Sequence, residues 1–173
     1  MIEIRQITQE NRQDLNLKNE PFEMPGRFVP ALENGKWSYR TEIFRQKQTM
    51  CFPDENYDFE KISANGVIFG AYEDGSCIAV AIYQDHWLKY LYLYDLKVNA
   101  AARGKGVGKL LVEAGMQAAQ DRGYRGVYTV AQDNNLDACM FYLAAGFEIG
   151  GFDNRVYRGT GQEGKADVMF YKG

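Results

Sequence analysis

"YLYLYDLKVNAAARGKGVGKLL" (Tyr90–Leu111) carries three signals in succession. Aromatic and aliphatic side chains crowd its first half, which predicts a strand. Glycines then stand at alternate positions, Gly104, Gly106 and Gly108, with Arg103, Lys105 and Lys109 threaded among them. The apolar residues that follow recur at helical spacing: Val107, Leu110, Leu111, Ala114 and Ala118. A strand, a bare turn and a helix in that order form the geometry in which backbone N–H groups converge on an anion. Glycines admit phosphate oxygens that a Cβ would block, and the helix dipole and basic side chains add positive charge. Spacing alone leaves two readings open, a cradle for a diphosphate and a glycine-rich helix start. A Walker loop is excluded, because Arg103 occupies the place of its first glycine and Leu110 that of its Ser/Thr. The dinucleotide fingerprint fails too, on glycine spacing and on its place after the first strand of a doubly wound unit.

Working outward, "VIFGAYE" and "CIAVAIYQ" flank Asp74-Gly75, a strong hairpin signal, and "YLYLYDLKV" is a third adjacent strand. Downstream, Gly123 ends the first helix, "GVYTVA" reads as a strand, and "NLDACMFYLAA" is a second helix stopped by Gly146. Strands near "FEIGGF" and "ADVMFYK" close the chain. Toward the N-terminus, "IEIRQIT" alternates as a strand does, and "ENRQDLNLK" reads as a short polar helix. "NEPFEMPGRFVPALENGKW" holds three of the four prolines and predicts an ordered but irregular connection. "SYRTEIF" fits strand or helix, and "PDENYDFEKI" predicts a short acidic helix opening after Pro53. The pattern predicts one mixed α/β domain over residues 1–173, with no linker or repeat.

Composition narrows the classes. Apolar residues make up 46% and charged residues 25% of 173, as in an ordinary globular domain. A net charge of −3 offers no basic field for nucleic acid, so the cluster at 103–109 is a local feature. Cys51, Cys77 and Cys139 lack metal or disulfide spacing, so neither a zinc site nor a disulfide framework is expected. No signal peptide or membrane span is read, and a reducing cytoplasm is the expected compartment.

Arg103-Gly104-Lys105-Gly106-Val107-Gly108 resembles the Arg/Gln-x-x-Gly-x-Gly/Ala signature of the GNAT N-acetyltransferases. "DLKV" (Asp95–Val98) resembles the end of the strand that holds the pantetheine arm in that superfamily, and "NNLDACMFYLAAGFE" resembles its Asn-x-x-Ala-x-x-Phe/Leu-Tyr-x-x-x-Gly-Phe helix. From about Asn19 onward the chain is similar, more narrowly, to the streptothricin acetyltransferases, on "NEPFEMPGRFVPALENGKW" and "AQDNNLDACMFYLAAGFEIG". The resemblance implies the acyl-CoA N-acyltransferase fold, a mostly antiparallel sheet with a parallel pair at the coenzyme site. It also implies a coenzyme core over 90–147, an acceptor side over 19–60, and acetyl-CoA as co-substrate with no metal. It implies that the main chain of Leu96 and Val98 meets the coenzyme arm, Val98 helping to polarise the thioester carbonyl. The amides from Arg103 to Lys109 (Arg103, Gly104, Lys105, Gly106, Val107, Gly108, Lys109) would take the pyrophosphate, and Asn135 the arm.

Tyr142 aligns with the tyrosine that protonates the departing thiolate in many members, against the alternative of a core aromatic among Met140, Phe141 and Leu143. Asn135 is equally a helix N-cap. The acceptor amine is a cation at neutral pH, so a proton acceptor is needed. Many relatives carry a glutamate immediately before the aspartate of this strand, where this chain has Tyr94 before Asp95. Asp95 is the replacement considered, either as base or as a structural carboxylate; alternation sends residues 94 and 95 to opposite faces unless a bulge intervenes. Glu20, Glu23, Tyr94 and Asp133, with Glu33, are the candidates for the acceptor side. His86 reads as a structural turn residue, and Cys139 as inert, so direct transfer is expected. The resemblance implies a small-molecule amine as partner, the β-lysine part of streptothricin, and analogy adds a homodimer. Other small amines, a polyamine or a protein terminus are the alternatives, and a non-catalytic coenzyme A-binding module is a third.

Overall fold

The computed structural model describes all of residues 1–173. In chain order the elements are β1 (Ile2–Gln6), a 3-10 helix (Gln9–Asn16), β2 (Phe22–Glu33), β3 (Lys36–Met50), α1 (Phe59–Ala64), β4 (Gly66–Glu73), β5 (Ser76–Gln84), β6 (Tyr90–Val98), a 3-10 turn (Ala100–Ala102), α2 (Val107–Asp121), β7 (Gly126–Gln132), α3 (Leu136–Ala144), β8 (Glu148–Asp153) and β9 (Asp167–Lys172). The chain divides into two compact units. One takes Met1–Glu20, Cys51–Val127 and Gly173; the other takes Pro21–Met50 and Tyr128–Lys172. No helix is long and apolar enough to cross a membrane.

In the first unit β1, β4, β5 and β6 lie side by side in that order, each pair antiparallel. Asp74 and Gly75 both have positive φ, 50° and 81°, as the two-residue turn between β4 and β5 requires. Alternate residues of β5 face opposite ways. Val80 and Ile82 join Ile7, Leu15 and Ile68 in one buried cluster, against which Leu17, Tyr57, Phe59 and Ile62 pack. Tyr83 points the other way, and its hydroxyl donates to the Leu111 carbonyl of α2 at 2.8 Å. Gly115 is the small residue that admits this ring: a Cβ there would lie 2.1 Å from the Tyr83 ring. The buried face of α2 is Val107, Gly108, Leu111, Val112, Gly115 and Ala119. The expected face was rotated from this one, since Leu110 is 37% exposed.

In the second unit β2 and β3 form a long hairpin, and β7, β9 and β8 lie in that order, β8 and β9 antiparallel. The hairpin corrects the irregular connection expected over residues 19–37. Two of its prolines are accommodated rather than disruptive: Pro25 sits at the register shift between Met24 and Gly26, and Pro30 pairs with Tyr39 in a ribbon of only two strands. Asn34-Gly35, with φ of 51° and 75°, makes the turn. Phe28 is fully buried, stacks on Tyr39 at 4.8 Å and tilts against Phe170 at 6.0 Å; truncating such a ring costs about 3–5 kcal/mol. Two further expectations shift locally. The segment 9–16 is a 3-10 helix capped by Thr8, and the acidic helix opens at Phe59, where Asp58 accepts from Glu60 and Lys61 N–H, rather than after Pro53. The strands near "FEIGGF" and "ADVMFYK" are β8 and β9, and Gly123 and Gly146, with φ of 81° and 92°, follow α2 and α3 as expected.

Candidate active site

The end of β6 shows which of its peptide groups are spoken for. Asn99 N–H donates to the Ile78 carbonyl at 2.9 Å, so Asn99 and Ile78 form a hydrogen-bonded pair of the β5–β6 ladder. Antiparallel ladders alternate, so Lys97 and Asp95 share that state with Val80 and Ile82, while Leu96 and Val98 turn their main-chain groups away from β5. These two are the residues expected to meet the coenzyme arm. The nearby Leu96 N–H favours the ionised Asp95 carboxylate, and the Val98 carbonyl accepts from Arg103 Nε at 3.2 Å, folding the turn back on the strand.

Asn99–Arg103 makes a short 3-10 turn, with Ala102 N–H on the Asn99 carbonyl. Gly104 and Gly106 take φ of 78° and 80°, in the left-handed region, while a Cβ at either would meet nothing within 4 Å. Glycine is therefore required by conformation, not by crowding from the chain itself. Gly106 is the N-cap of α2 and contributes no side chain, and no acidic residue stands in the first turn. The first intrahelical acceptor is used by Leu110, whose N–H reaches the Gly106 carbonyl at 3.2 Å. The N–H groups of Val107, Gly108 and Lys109 precede it and have no intrahelical partner. Arg103, Lys105 and Lys109 are exposed around them. A diphosphate suits that set.

A charged corner lies on the opposite face of β6. Ile82 pairs with Asp95 but Tyr83 pairs with Leu93, so Tyr94 is the extra residue of a bulge. The bulge cancels the alternation that would have separated residues 94 and 95. Tyr94, 48% exposed, meets Tyr92 and Tyr57 edge-on at 6.0 and 6.1 Å. Asp95 accepts a hydrogen bond from Tyr57 Oη at 2.9 Å, and Lys97 Nζ stands 3.8 Å from its Oδ2. Lys97 also pairs with Glu55 and donates to the Leu17 carbonyl at 3.1 Å. Burial pushes the Asp95 carboxyl above the ordinary range, although Lys97 and Tyr57 pull it down. Burial also acts on Glu55, but the bonds from Lys97 and Asn19 outweigh it and hold that carboxyl low. Tyr57, by burial and beside Asp95, is a phenol well above its usual value. Sequence reading missed Tyr57 and Glu55, because the segment around residue 55 carried only an acidic-helix signal, and took Lys97 only as part of "DLKV".

The remaining candidates are engaged in distinct ways. Glu20, in the first unit, accepts the Ala100 N–H and so holds the first residue of the turn. Glu23 pairs with Lys47 across the hairpin at 3.3 Å, both well exposed. Glu33 ends β2 next to the hairpin turn. Asp133 is 4% exposed, accepts the Ala166 N–H at 3.0 Å and faces Arg27 Nε at 3.4 Å. Asn135 caps α3, its Oδ1 accepting the Ala138 N–H at 3.3 Å. Its neighbour Asn134, which sequence reading passed over, is buried with an Oδ1 that has no hydrogen-bond partner. Tyr142 is buried, its ring 5.3 Å from Phe147 and 5.5 Å from Phe170. Burial pushes the Cys139 thiol up to about 12, the wrong direction for a nucleophile. His86 Nδ1 accepts the Leu88 N–H at 3.3 Å, a turn contact.

The model of the acetyltransferase (GNAT) family matches residues 19–147. The chain belongs to that family. It is an acetyltransferase, as the three motifs together implied by their resemblance. Streptothricin acetyltransferase A of Bacillus subtilis (strain 168) is 31% identical over 97% of this chain and 98% of its own length. A streptothricin acetyltransferase of Streptomyces lavendulae is 30% identical over 66% of this chain and 64% of its own. Among solved structures, a Bacillus anthracis protein assigned as a streptothricin acetyltransferase, in complex with acetyl coenzyme A, superposes with a TM-score of 0.88 at 25% identity, covering 99% of both chains. The expected mixed α/β acyl-CoA N-acyltransferase fold is thereby shown.

Proposed function

We propose that this acetyltransferase moves the acetyl group of acetyl-CoA to a primary amine of streptothricin, on its β-lysine part, and so protects its host from the antibiotic. The observation that carries this acceptor is the end-to-end likeness to streptothricin acetyltransferase A, which takes in residues 19–60 as well as the coenzyme turn. Acetylation removes a positive charge, and a cationic drug that grips anionic RNA loses affinity with each charge lost.

In this reading the N–H groups from Arg103 to Lys109 hold the pyrophosphate, the outward main chain of Leu96 and Val98 holds the pantetheine arm, and Asn135 bonds that arm. A main-chain donor at Val98 stabilises the oxyanion formed when the amine nitrogen attacks the thioester carbon. The N–C bond forms, the C–S bond breaks, Tyr142 gives its proton to the departing thiolate, and the second proton shed by the new amide nitrogen restores the phenol through solvent. The attacking amine must first be neutral, which for a lysine-like group of pKa about 10.4 costs roughly 4–5 kcal/mol at pH 7. Asp95 takes that proton, directly or through a water, and its raised proton affinity suits it to do so. Tyr94 and Glu23 belong to the acceptor side. Glu20 and Asp133 act by holding main chain, since their carboxylates are already bonded.

A thiol-release assay with streptothricin and acetyl-CoA tests the assignment. Turnover well above a no-acceptor control is expected. Turnover on a polyamine or peptide amine but none on streptothricin would overturn the acceptor and leave the family standing.

A further inference from the structure

Asp95 sits on the strand, yet the group that orients it arrives from elsewhere in the chain. Tyr57 belongs to the connection before α1 and is held on several sides. Its N–H donates to Asn16 Oδ1 at 2.6 Å, and its carbonyl accepts from Asn16 Nδ2 at 2.9 Å. Its ring packs on the cluster of Ile7, Leu15, Ile68, Val80 and Ile82. Tyr94 meets the ring edge-on, and Lys97 Nζ lies 5.4 Å from its centroid. A side chain fixed in this way has one direction for its hydroxyl, toward Asp95 Oδ2.

We propose that Tyr57 is a positioning residue for the proton-accepting step, its hydroxyl holding the Asp95 carboxylate ionised and in one orientation as the acceptor ammonium arrives. The inference rests on Asp95 as the base and deepens that reading by naming what sets its proton affinity. The charges around Asp95 can be enumerated. Lys97, on the same strand, and the Tyr57 hydroxyl favour the carboxylate, as does the Leu96 N–H. Burial and Glu55, from the connection that carries Tyr57, oppose it. The neighbouring strand β5 presents only the uncharged Val80 and Ile82 at this place. Tyr57 is thus one of few groups restraining a carboxyl that its surroundings push up. A phenol that merely filled space would not need its oxygen.

Tyr57→Phe keeps the ring and removes the hydroxyl. With burial less opposed, the Asp95 pKa climbs and the acid limb of the kcat/KM profile moves to higher pH by about one unit. The same shift is read without turnover from the Asp95 carboxyl carbon, followed by NMR through a pH titration of wild type and variant. An Asp95 titration at the wild-type position in Tyr57→Phe overturns the inference. Asp95→Asn separates this failure from failure of the underlying reading. If Asp95→Asn retains the acid limb and the rate, Asp95 is not the base. If it removes the limb while Tyr57→Phe leaves the carboxyl unmoved, only the role of Tyr57 falls.

Discussion

Asp95 and Asp133 carry the same side chain, one in each compact unit, and are held in different ways. Asp133 is 4% exposed, anchors the Ala166 amide and faces Arg27, while its own carbonyl accepts the Phe28 N–H at 2.8 Å. These bonds tie β2 and the segment before β9 to the end of β7, so the carboxylate works as part of the frame. Asp95 has a side chain 22% exposed and leans on a phenol and a shared ammonium. Asp133 is enclosed by the Ala166 amide and Arg27, whereas Asp95 lies next to a bulge and burial raises its pKa. From sequence, Asp95 is a candidate base or structural carboxylate and Asp133 a candidate for the acceptor side.

The largest effect expected is on stability, at Asp133. Asp133→Asn turns one acceptor oxygen into a donor against Ala166 N–H or Arg27, and leaves the other charge without its partner. Such losses cost about 3 kcal/mol, or a Tm lower by roughly 6–12 °C for a chain of this size. Asp95→Asn at the same pH leaves Tm unchanged or raises it, because burial penalises the ionised form that Asn replaces, while the rate falls. Thermal melts of the two variants side by side check the contrast. A normal Tm with a raised acceptor KM in Asp133→Asn would move Asp133 from the frame to the acceptor site and break the comparison.

The two tyrosines sharpen it next. Tyr57 donates its hydroxyl to Asp95, and the Tyr142 ring packs among Phe141, Phe147 and Phe170. If Tyr142 supplies the proton to the thiolate, Tyr142→Phe lowers kcat about a hundredfold. Calorimetric binding of acetyl-CoA stays near the wild-type value. An unchanged kcat would return Tyr142 to the core and leave the thiolate to be protonated by solvent.

What could be read in the sequence was local. The glycine turn, the Asp74-Gly75 hairpin, α3 and the closing strands are each specified by residues within a few positions of one another. The face of α2 was misjudged because Leu110 and Val112 are both apolar, and only the packing of the folded chain buries Val112 and leaves Leu110 exposed. The β2–β3 hairpin was hidden by its prolines, although Asn34-Gly35 announced it; proline is costly in a central strand but not at a bulge or in a two-stranded ribbon. The charged corner was beyond reach for a different reason. Tyr57 and Asp95 are 38 residues apart, and the bulge that brings Tyr94 to the side of Asp95 follows from strand register, which no local pattern prints.

The smallest effect separates Asp95 from its neighbour Glu55, within one corner. Burial would raise the Glu55 carboxyl, but the bonds from Lys97 and Asn19 hold its folded pKa below the ordinary value of 4.5. A depressed carboxyl stabilises the fold above that value, and the stabilisation is lost as pH falls through the folded pKa. Asp95 has the opposite sign: its folded pKa is raised from 3.8, so its contribution is complete below that value and lost as pH rises through the folded pKa. Glu55→Gln should therefore cost about 1 kcal/mol at pH 7 and converge on wild type in acid. Asp95→Asn should diverge from wild type over the same rise in pH, in the stabilising direction. Denaturant melts from pH 3 to 7 resolve the two slopes, and parallel slopes would mean that Lys97 serves both carboxylates equally, erasing the distinction between a reactive acid and its support.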